Sequence, residues 1–389
     1  MEVLSMKIGQ FCETYPPMLD GVGKVMLAYC KTLNDKGHDC VYVAPRNSRY
    51  KDYKPVVPTV LYHGIPVPTQ PYSAGFPNLS PVFLKKLREM NFDVVHAHGP
   101  FFAGRAARRV ARKLNIPLVS TFHSKYYDDF YRITHSKFLS QLIVKYIISF
   151  YNSCDEVWTL NEGTKKVLQD YGYKGPIVII PNGTDPYTIS RERITECQKD
   201  LTVRENLPVF LFVGQIDHKK NIGNIIEACR ILHEQGHDFE MLLAGQGADL
   251  NTFKKKVNEY GLYNCVHFIG FIGEPDLLHA VYDRADLLVF PSIYDNASMV
   301  VREAATMKTP PLLVRGSCTA EGVIHGENGY LCENTPEDIA LQMWNALPTI
   351  RETGEKASQT IPVAWSQIMD DVISRYTELA KKKKSGTNA

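Results

Sequence analysis

No two of the nine cysteines stand three positions apart, so no C-x2-C pair exists to seed a zinc site. They are odd in number and scattered from Cys12 to Cys332, which argues against a disulfide framework and suits a reducing compartment. Long apolar runs are also missing. The most apolar helical stretch, Phe138 to Tyr151, is broken by Ser140, Gln141, Lys145 and Ser149, and is too short and polar to cross a bilayer. The N-terminus has no basic start followed by an apolar core, so no secretory leader is expected. The expected location is therefore cytoplasmic, or peripheral on the inner face of a membrane. Asn78, Asn182 and Asn296 each open an N-x-S/T triplet and are read as unmodified. No G-x-G-x-x-G run occurs, which removes the dinucleotide fingerprint, and no D-x-D pair follows a strand as a metal-binding site would need. Low complexity is confined to Lys381–Lys384, read as a solvated, frayed end.

What is present is an ordinary globular composition, 44% hydrophobic and 22% charged, over a length that suits two α/β domains better than one core. The net charge of +2 hides an asymmetry. Residues 1–186 carry 23 Lys/Arg against 15 Asp/Glu, and residues 187–389 carry 21 against 27. A basic first half fits an anionic lipid surface or an anionic substrate; it equally fits solubility and simple phosphate attraction. No nucleic-acid partner is expected.

Short apolar runs bounded by turns alternate with helical patterns through both halves. Strands are expected at Lys7–Cys12, Cys40–Ala44, Val57–Tyr62, Val94–His96, Leu118–Thr121, Glu156–Thr159 and Ile177–Ile180. A second series runs through Val209–Val213, Glu240–Ala244, Val266–Ile269, Leu287–Phe290 and Leu312–Val314. This order implies an α/β protein of two doubly wound parallel sheets with a seam near Asp185-Pro186. The expected divisions are residues 1–186, 187–361 and a terminal segment, 362–389, whose amphipathic helix from Trp365 to Leu379 packs back on the first domain. Ligands of such folds bind outside the carboxyl ends of the strands, so the loops just after strands carry most interest. Two domains of this kind are expected to face a central cleft.

Several such loops are polar. Pro16-Pro17-Met18-Leu19-Asp20-Gly21-Val22-Gly23 leads into a helix, and glycines there let backbone amides approach an anion. Gly214-Gln215-Ile216-Asp217-His218-Lys219-Lys220 places a glycine at a strand end and two lysines before a helix, where a cation can neutralise a diphosphate. Gly245 repeats the strand-then-glycine pattern one unit later. Asp295 and Glu303 lie eight positions apart across a loop-to-helix junction, and the amides from Ala297 to Val300 mark a helix N-terminus. Each feature has a plainer alternative: a structural turn, a surface lysine pair, a helix cap with a solvated acid.

Together these segments resemble the retaining glycosyltransferases of family 4, which have the GT-B fold. The stretch from Asp295 to Glu303 resembles their Glu–x(7)–Glu motif, and His96-Ala97-His98 their H-x-H strand end. Thr121-Phe122-His123 is similar to their T-F-H segment, and Pro181-Asn182-Gly183-Thr184-Asp185 to their hinge. Trp365 and Tyr376 match the returning terminal helix. The resemblance spans almost the whole chain. It implies a nucleotide-sugar co-substrate and no metal or other cofactor. Glu303 would bind the donor ribose. Asp295 would contact the sugar with the amides of Ser298, Met299 and Val300, and Lys220 would pair with the diphosphate, helped by Gly21 and Gly23. Gly214, Gln215, Lys219 and Gly245 would complete the donor loops. Backbone at Phe271-Ile272 would hold the base. His123 would lie by the reacting carbon. The catalytic set is thus His123, Asp295 and Lys220. On the acceptor side the resemblance implies Asp20, His98, His123, Lys125, Tyr126 and Tyr127, the last three in a segment, Ser120–Tyr131, that resembles the acceptor-side loop of bacterial enzymes acting on diacylglycerol.

Three departures from the family pattern stand out. Asp295 replaces a glutamate, Gln215 stands where an arginine is usual, and Lys308-Thr309-Pro310 replaces a Cys-Gly-x-Pro turn. The expected reaction is retaining transfer of a hexose from a nucleoside diphosphate sugar, a UDP-sugar foremost, to a lipid such as diacylglycerol. A glycan or small-molecule acceptor, a sugar-nucleotide epimerase and an inactive binding protein are the alternatives. The helix with Phe138, Leu142, Tyr146 and Phe150 on one face suits a membrane interface, although core packing is the default for an apolar stripe and is the reading favoured here.

Overall fold

A computed structural model describes residues 5–16, 20–50, 52–67, 73–199, 201, 203–204 and 206–386. Pro17, Met18 and Leu19 of the first polar loop lie outside the described residues. The chain forms two compact units, Met1–Asn182 with Trp365–Ala389, and Gly183–Ala364.

The first unit has strands β1 (Lys7–Phe11), β2 (Asp39–Pro45), β3 (Thr59–Tyr62), a short antiparallel pair β4 (Ile65–Pro66) and β5 (Ser73–Ala74), then β6 (Val94–Ala97), β7 (Leu118–Phe122), β8 (Glu156–Thr159) and β9 (Ile177–Ile179). Its helices are α1 (Gly21–Asp35), α2 (Pro81–Glu89), α3 (Phe102–Leu114), α4 (Tyr126–Thr134), α5 (Lys137–Tyr151) and α6 (Glu162–Asp170). The main sheet runs β3-β2-β1-β6-β7-β8-β9, and all of its pairings are parallel. Strands such as Val41-Tyr42-Val43-Ala44 are buried throughout because helices cover both faces. Phe11, Val43, Val95 and Phe122 from the sheet pack with Leu87, Val110 and Ile147 from the helices.

The second unit holds α7 (Arg191–Gln198), β10 (Val209–Val213), α8 (Ile222–Glu234), β11 (Glu240–Ala244), α9 (Leu250–Glu259), β12 (Val266–Gly270), α10 (Pro275–Arg284), β13 (Leu287–Phe290), α11 (Met299–Thr306), β14 (Pro311–Val314), β15 (Tyr330–Cys332), α12 (Pro336–Asn345) and α13 (Ile350–Thr360). Its sheet runs β12-β11-β10-β13-β14-β15, again all parallel. Phe210, Leu242, Leu288 and Leu312 form its centre with Ile225, Ile226 and Val301.

Three elements here have no forerunner in the sequence reading. β15 is three residues long, below the length at which a pattern registers. α7 buries only Ile194 and Cys197 in an otherwise polar run. α13 contains Gly354, which reads as a breaker; a Cβ there would come within 2.1 Å of the Lys308 carbonyl oxygen, so the glycine serves close packing.

The last helix, α14 (Trp365–Lys384), belongs to the first unit and buries Trp365, Met369, Val372 and Tyr376. The tetralysine is not a frayed end. It continues the helix, with Lys383 Nζ 2.6 Å from Asp155 and Lys384 Nζ 3.4 Å from Asp93. Cations in a last turn also complement the partial negative charge of the helix C-terminus.

Candidate functional site

In the second sheet the chain order reverses between β10 and β13, so the loops that follow these two strands flank the topological switch point. The loop after β10 makes one tight turn over His218–Lys220, started by Asp217, whose carboxylate accepts the Lys220 N–H at 3.3 Å. Asn221 then adopts a left-handed φ of 62° and ties the two loops together, donating from Nδ2 to the Pro291 carbonyl at 3.1 Å. That geometry brings Lys220 Nζ to 2.6 and 2.8 Å from the two carboxylate oxygens of Asp295. Both side chains are mostly covered, 14% and 19% exposed. The shorter carboxylate of Asp295 therefore still reaches Lys220. Ser292 braces the same loop, accepting from the Asp295 N–H at 3.4 Å, while Thr319 donates to the Asp295 carbonyl at 3.1 Å.

Ser298 is the N-cap of α11 and makes no side-chain cap bond, and no acid lies in the first turn. The first amides of a helix lack intrahelical acceptors and favour an anion. Glu303 sits further along α11, half-buried, and accepts from the Tyr282 hydroxyl at 3.1 Å. Lys219 Nζ lies 4.4 Å from the centre of the Tyr294 ring, a cation–π contact between the same two loops. Gln215 is exposed.

The glycines of this region have a packing role. A Cβ on Gly245, at φ 147°, would come within 1.8 Å of the Gly214 carbonyl oxygen, so the loops after β10 and β11 meet backbone to backbone. Phe271, after β12, is 68% exposed, and Ile272 beside it is half-buried.

The first sheet has its own switch point between β1 and β6. Asp20 is the N-cap of α1, and its carboxylate accepts the Gly23 N–H at 2.7 Å. That amide thus already has an internal partner, whereas Gly21 stands in open space. His98 follows β6 and His123 follows β7; their rings stack 5.3 Å apart, with His98 Nδ1 3.1 Å from His123 Nε2. Burial pushes the His123 imidazole down to about 3, and holds His96 and His98 well below the ordinary value as well. These rings are neutral at physiological pH.

The segment expected as an acceptor-side loop carries helix α4. Lys125 is its N-cap, and Tyr127 lies at its start with its N–H donating to the Tyr171 hydroxyl at 3.0 Å. Tyr126 is packed into the core of the first unit, 7% exposed, because its ring meets Phe122 and Phe101. The stripe on α5 departs from core packing. Phe138, Leu142 and Tyr146 are 72%, 54% and 59% exposed, and only Phe150 is buried. A four-residue spacing advances roughly 40° per step around a helix, so the fourth member has turned inward.

Two residues near the first switch point escaped the sequence reading. Glu13 accepts from the Ala103 N–H at 2.7 Å and the Tyr62 hydroxyl at 3.3 Å, and burial raises its carboxyl to about 7. Gln10, a fully buried amide one residue before the end of β1, meets both His98 and Tyr376. A polar residue inside an apolar strand was the available signal for Gln10.

Paired doubly wound domains with polar loops gathered at each switch point are the architecture of the GT-B glycosyltransferases. Residues 19–187 match Glycosyltransferase Family 4 and residues 194–349 match Glycosyl transferases group 1, together well over half of the chain. The chain belongs to the family 4 glycosyltransferases. It is 24% identical over 315 residues to the alpha-monoglucosyldiacylglycerol synthase of Streptococcus pneumoniae, covering 78% of this chain and 70% of that protein. The enzyme of the same name from Acholeplasma laidlawii is 25% identical over 351 residues, covering 85% and 86%. The structure of Anabaena HepE in complex with UDP-glucose superimposes with a TM-score of 0.78 at 17% identity, covering 96% of this chain and all of that one. Among the described residues no helix is long and apolar enough to cross a membrane.

Proposed function

We propose that this glycosyltransferase moves a hexose from a nucleoside diphosphate sugar, a UDP-sugar foremost, to the hydroxyl of a membrane lipid such as diacylglycerol, with retention at the anomeric carbon. The observation that carries the donor reading is the meeting of Lys220, Asp295 and the α11 N-terminus at the switch point of the second sheet. The chemical demand of the step is stabilisation of negative charge on a departing diphosphate. Lys220 and the first amides of α11 answer it without any metal. As the donor's C1–oxygen bond breaks, the acceptor oxygen bonds C1 on the same face, and its proton passes to the diphosphate. Glu303 holds the ribose hydroxyls, Asp295 with the Ser298, Met299 and Val300 amides holds the sugar, and backbone at Phe271-Ile272 holds the base. His123 and His98 serve the acceptor side.

The lipid reading draws on the named activity of the two synthases and on the exposed Phe138, Leu142 and Tyr146, set among Lys137, Lys145 and Arg105. Apolar side chains flanked by cations suit an anionic bilayer surface. Thermal unfolding in the presence of UDP-, GDP- and ADP-sugars, followed by transfer of radiolabelled sugar to vesicles containing diacylglycerol, tests the whole. A UDP-sugar is expected to raise Tm and to label the lipid. Lys220→Ala is expected to lower transfer about 10²–10³-fold, as for other charge-stabilising donors. No stabilisation by any of the nucleotide sugars would end the donor reading.

A further inference from the structure

We propose that Gln10 is a positioning residue whose side-chain amide, held by Tyr376 of α14, fixes the ring tautomers of His98 and His123 so that Nδ1 is the acceptor nitrogen of His123. Gln10, His96 and Tyr376 are fully buried and His98 is nearly so, which obliges each polar atom to find a partner. The rings of His96 and His98 stack at 4.3 Å, and those of His98 and His123 at 5.3 Å. Tyr29 meets both His96 and His98 edge-on, and Trp158 meets His96. Burial of this kind excludes imidazolium, so each ring has one N–H and one lone pair.

The protons can then be followed from atom to atom. Gln10 Oε1 can only accept, and His98 Nε2 lies 2.8 Å away, so His98 carries its proton on Nε2. His98 Nδ1 must accept, and its partner at 3.1 Å is His123 Nε2, which therefore carries the proton of that ring. On the other side Gln10 Nε2 donates to the Tyr376 hydroxyl at 3.1 Å, and that hydroxyl donates to His96 Nδ1 at 2.5 Å. His96 closes the chain, donating from Nε2 to the Thr121 hydroxyl at 2.8 Å. One amide thus couples a hydroxyl on the C-terminal helix to a ring at the end of β7. With Nδ1 as its lone-pair nitrogen, His123 can accept a hydrogen bond at that atom but cannot donate one. The consequence for turnover rests on the reading of His123 under Proposed function; the tautomer assignment does not.

The test uses the full-length protein labelled with 15N-histidine, read by long-range 15N–1H correlation, alongside steady-state kinetics with the stabilising donor. His98 and His123 are both expected as the Nε2–H form. Gln10→Met, which keeps the length and removes both hydrogen bonds, is expected to give mixed tautomers at His123. Its kcat should fall about 10–100-fold, the range typical when the outer partner of a functional histidine is removed, with donor KM within about threefold. Tyr376→Phe deletes one oxygen from the partner that orients the amide and is expected to shift the same two readouts in the same direction. Finding His123 as Nδ1–H in the unaltered protein would overturn the proposal, as would unchanged tautomers in both variants. A protein with the expected tautomers but no transfer activity would sink the functional reading alone.

Discussion

Lys220 and Asp295 hold each other through two short contacts, so the lysine ammonium already has a fixed direction in the folded chain. Glu13 is a contrasting case, a half-buried carboxyl that accepts from an amide and a phenol and has no cation paired with it among the described residues. Its folded value, about 7, lies above the ordinary 4.5, so between these values the folded state binds more protons than the unfolded chain. Its contribution to stability is thus fully present below about 4.5 and is lost as pH rises through 7. Glu13→Gln is expected to flatten this component. Urea unfolding of both proteins at pH 5 and pH 7.5 should show a larger fall in unfolding free energy for the unaltered chain. Contributions common to both proteins cancel in the comparison.

Among elements, α5 and α14 are used in contrasting ways. α14 places Tyr376 under the histidine stack, pairs Arg375 with the buried Glu156 and ends in lysines bonded to Asp155 and Asp93. It is a structural part of the first unit. α5 presents its outer face uncovered, with Arg105 of α3 lying 3.9 Å over the Tyr146 ring. Replacing Phe138, Leu142 and Tyr146 together by serine is expected to leave stability within about 0.5 kcal/mol per site, as for exposed positions. On the proposed function, co-sedimentation with anionic vesicles should weaken at least tenfold while donor KM in detergent stays the same. Undiminished vesicle binding, or none by the unaltered protein, would end the reading of this face as a lipid contact.

At the scale of the whole molecule the two units differ in continuity. Gly183–Ala364 is one uninterrupted segment with its own core, whereas the first unit needs Trp365–Ala389 to complete it. Residues 183–364 expressed alone are expected to fold cooperatively and, on the proposed function, to bind the same nucleotide as the full chain without catalysing transfer. Circular dichroism and titration calorimetry would check both. Residues 1–182 alone lack Trp365, Met369 and Tyr376 from their core and are expected to lose fixed tertiary structure, visible as a lost near-ultraviolet signal.

The alternation of apolar runs with helical periods determined both parallel sheets, because strands buried on two faces must be apolar throughout while their covering helices need only one apolar stripe. The acid pair Asp295/Glu303 and the lysine pair before α8 were legible for a similar reason: each follows a strand end, where such folds present their loops. Short or polar elements such as β15 and α13 were not, since their placement rests on neighbours distant in sequence. Nor did periodicity tell which face of α5 is covered, or that Lys382, Lys383 and Lys384 would find carboxylates. Those outcomes, like the alignment of Gln10 with His98 and Tyr376, depend on side chains from up to 366 positions apart meeting in space. Only tertiary packing decides that, because burial leaves a polar atom no partner except the one the fold brings to it.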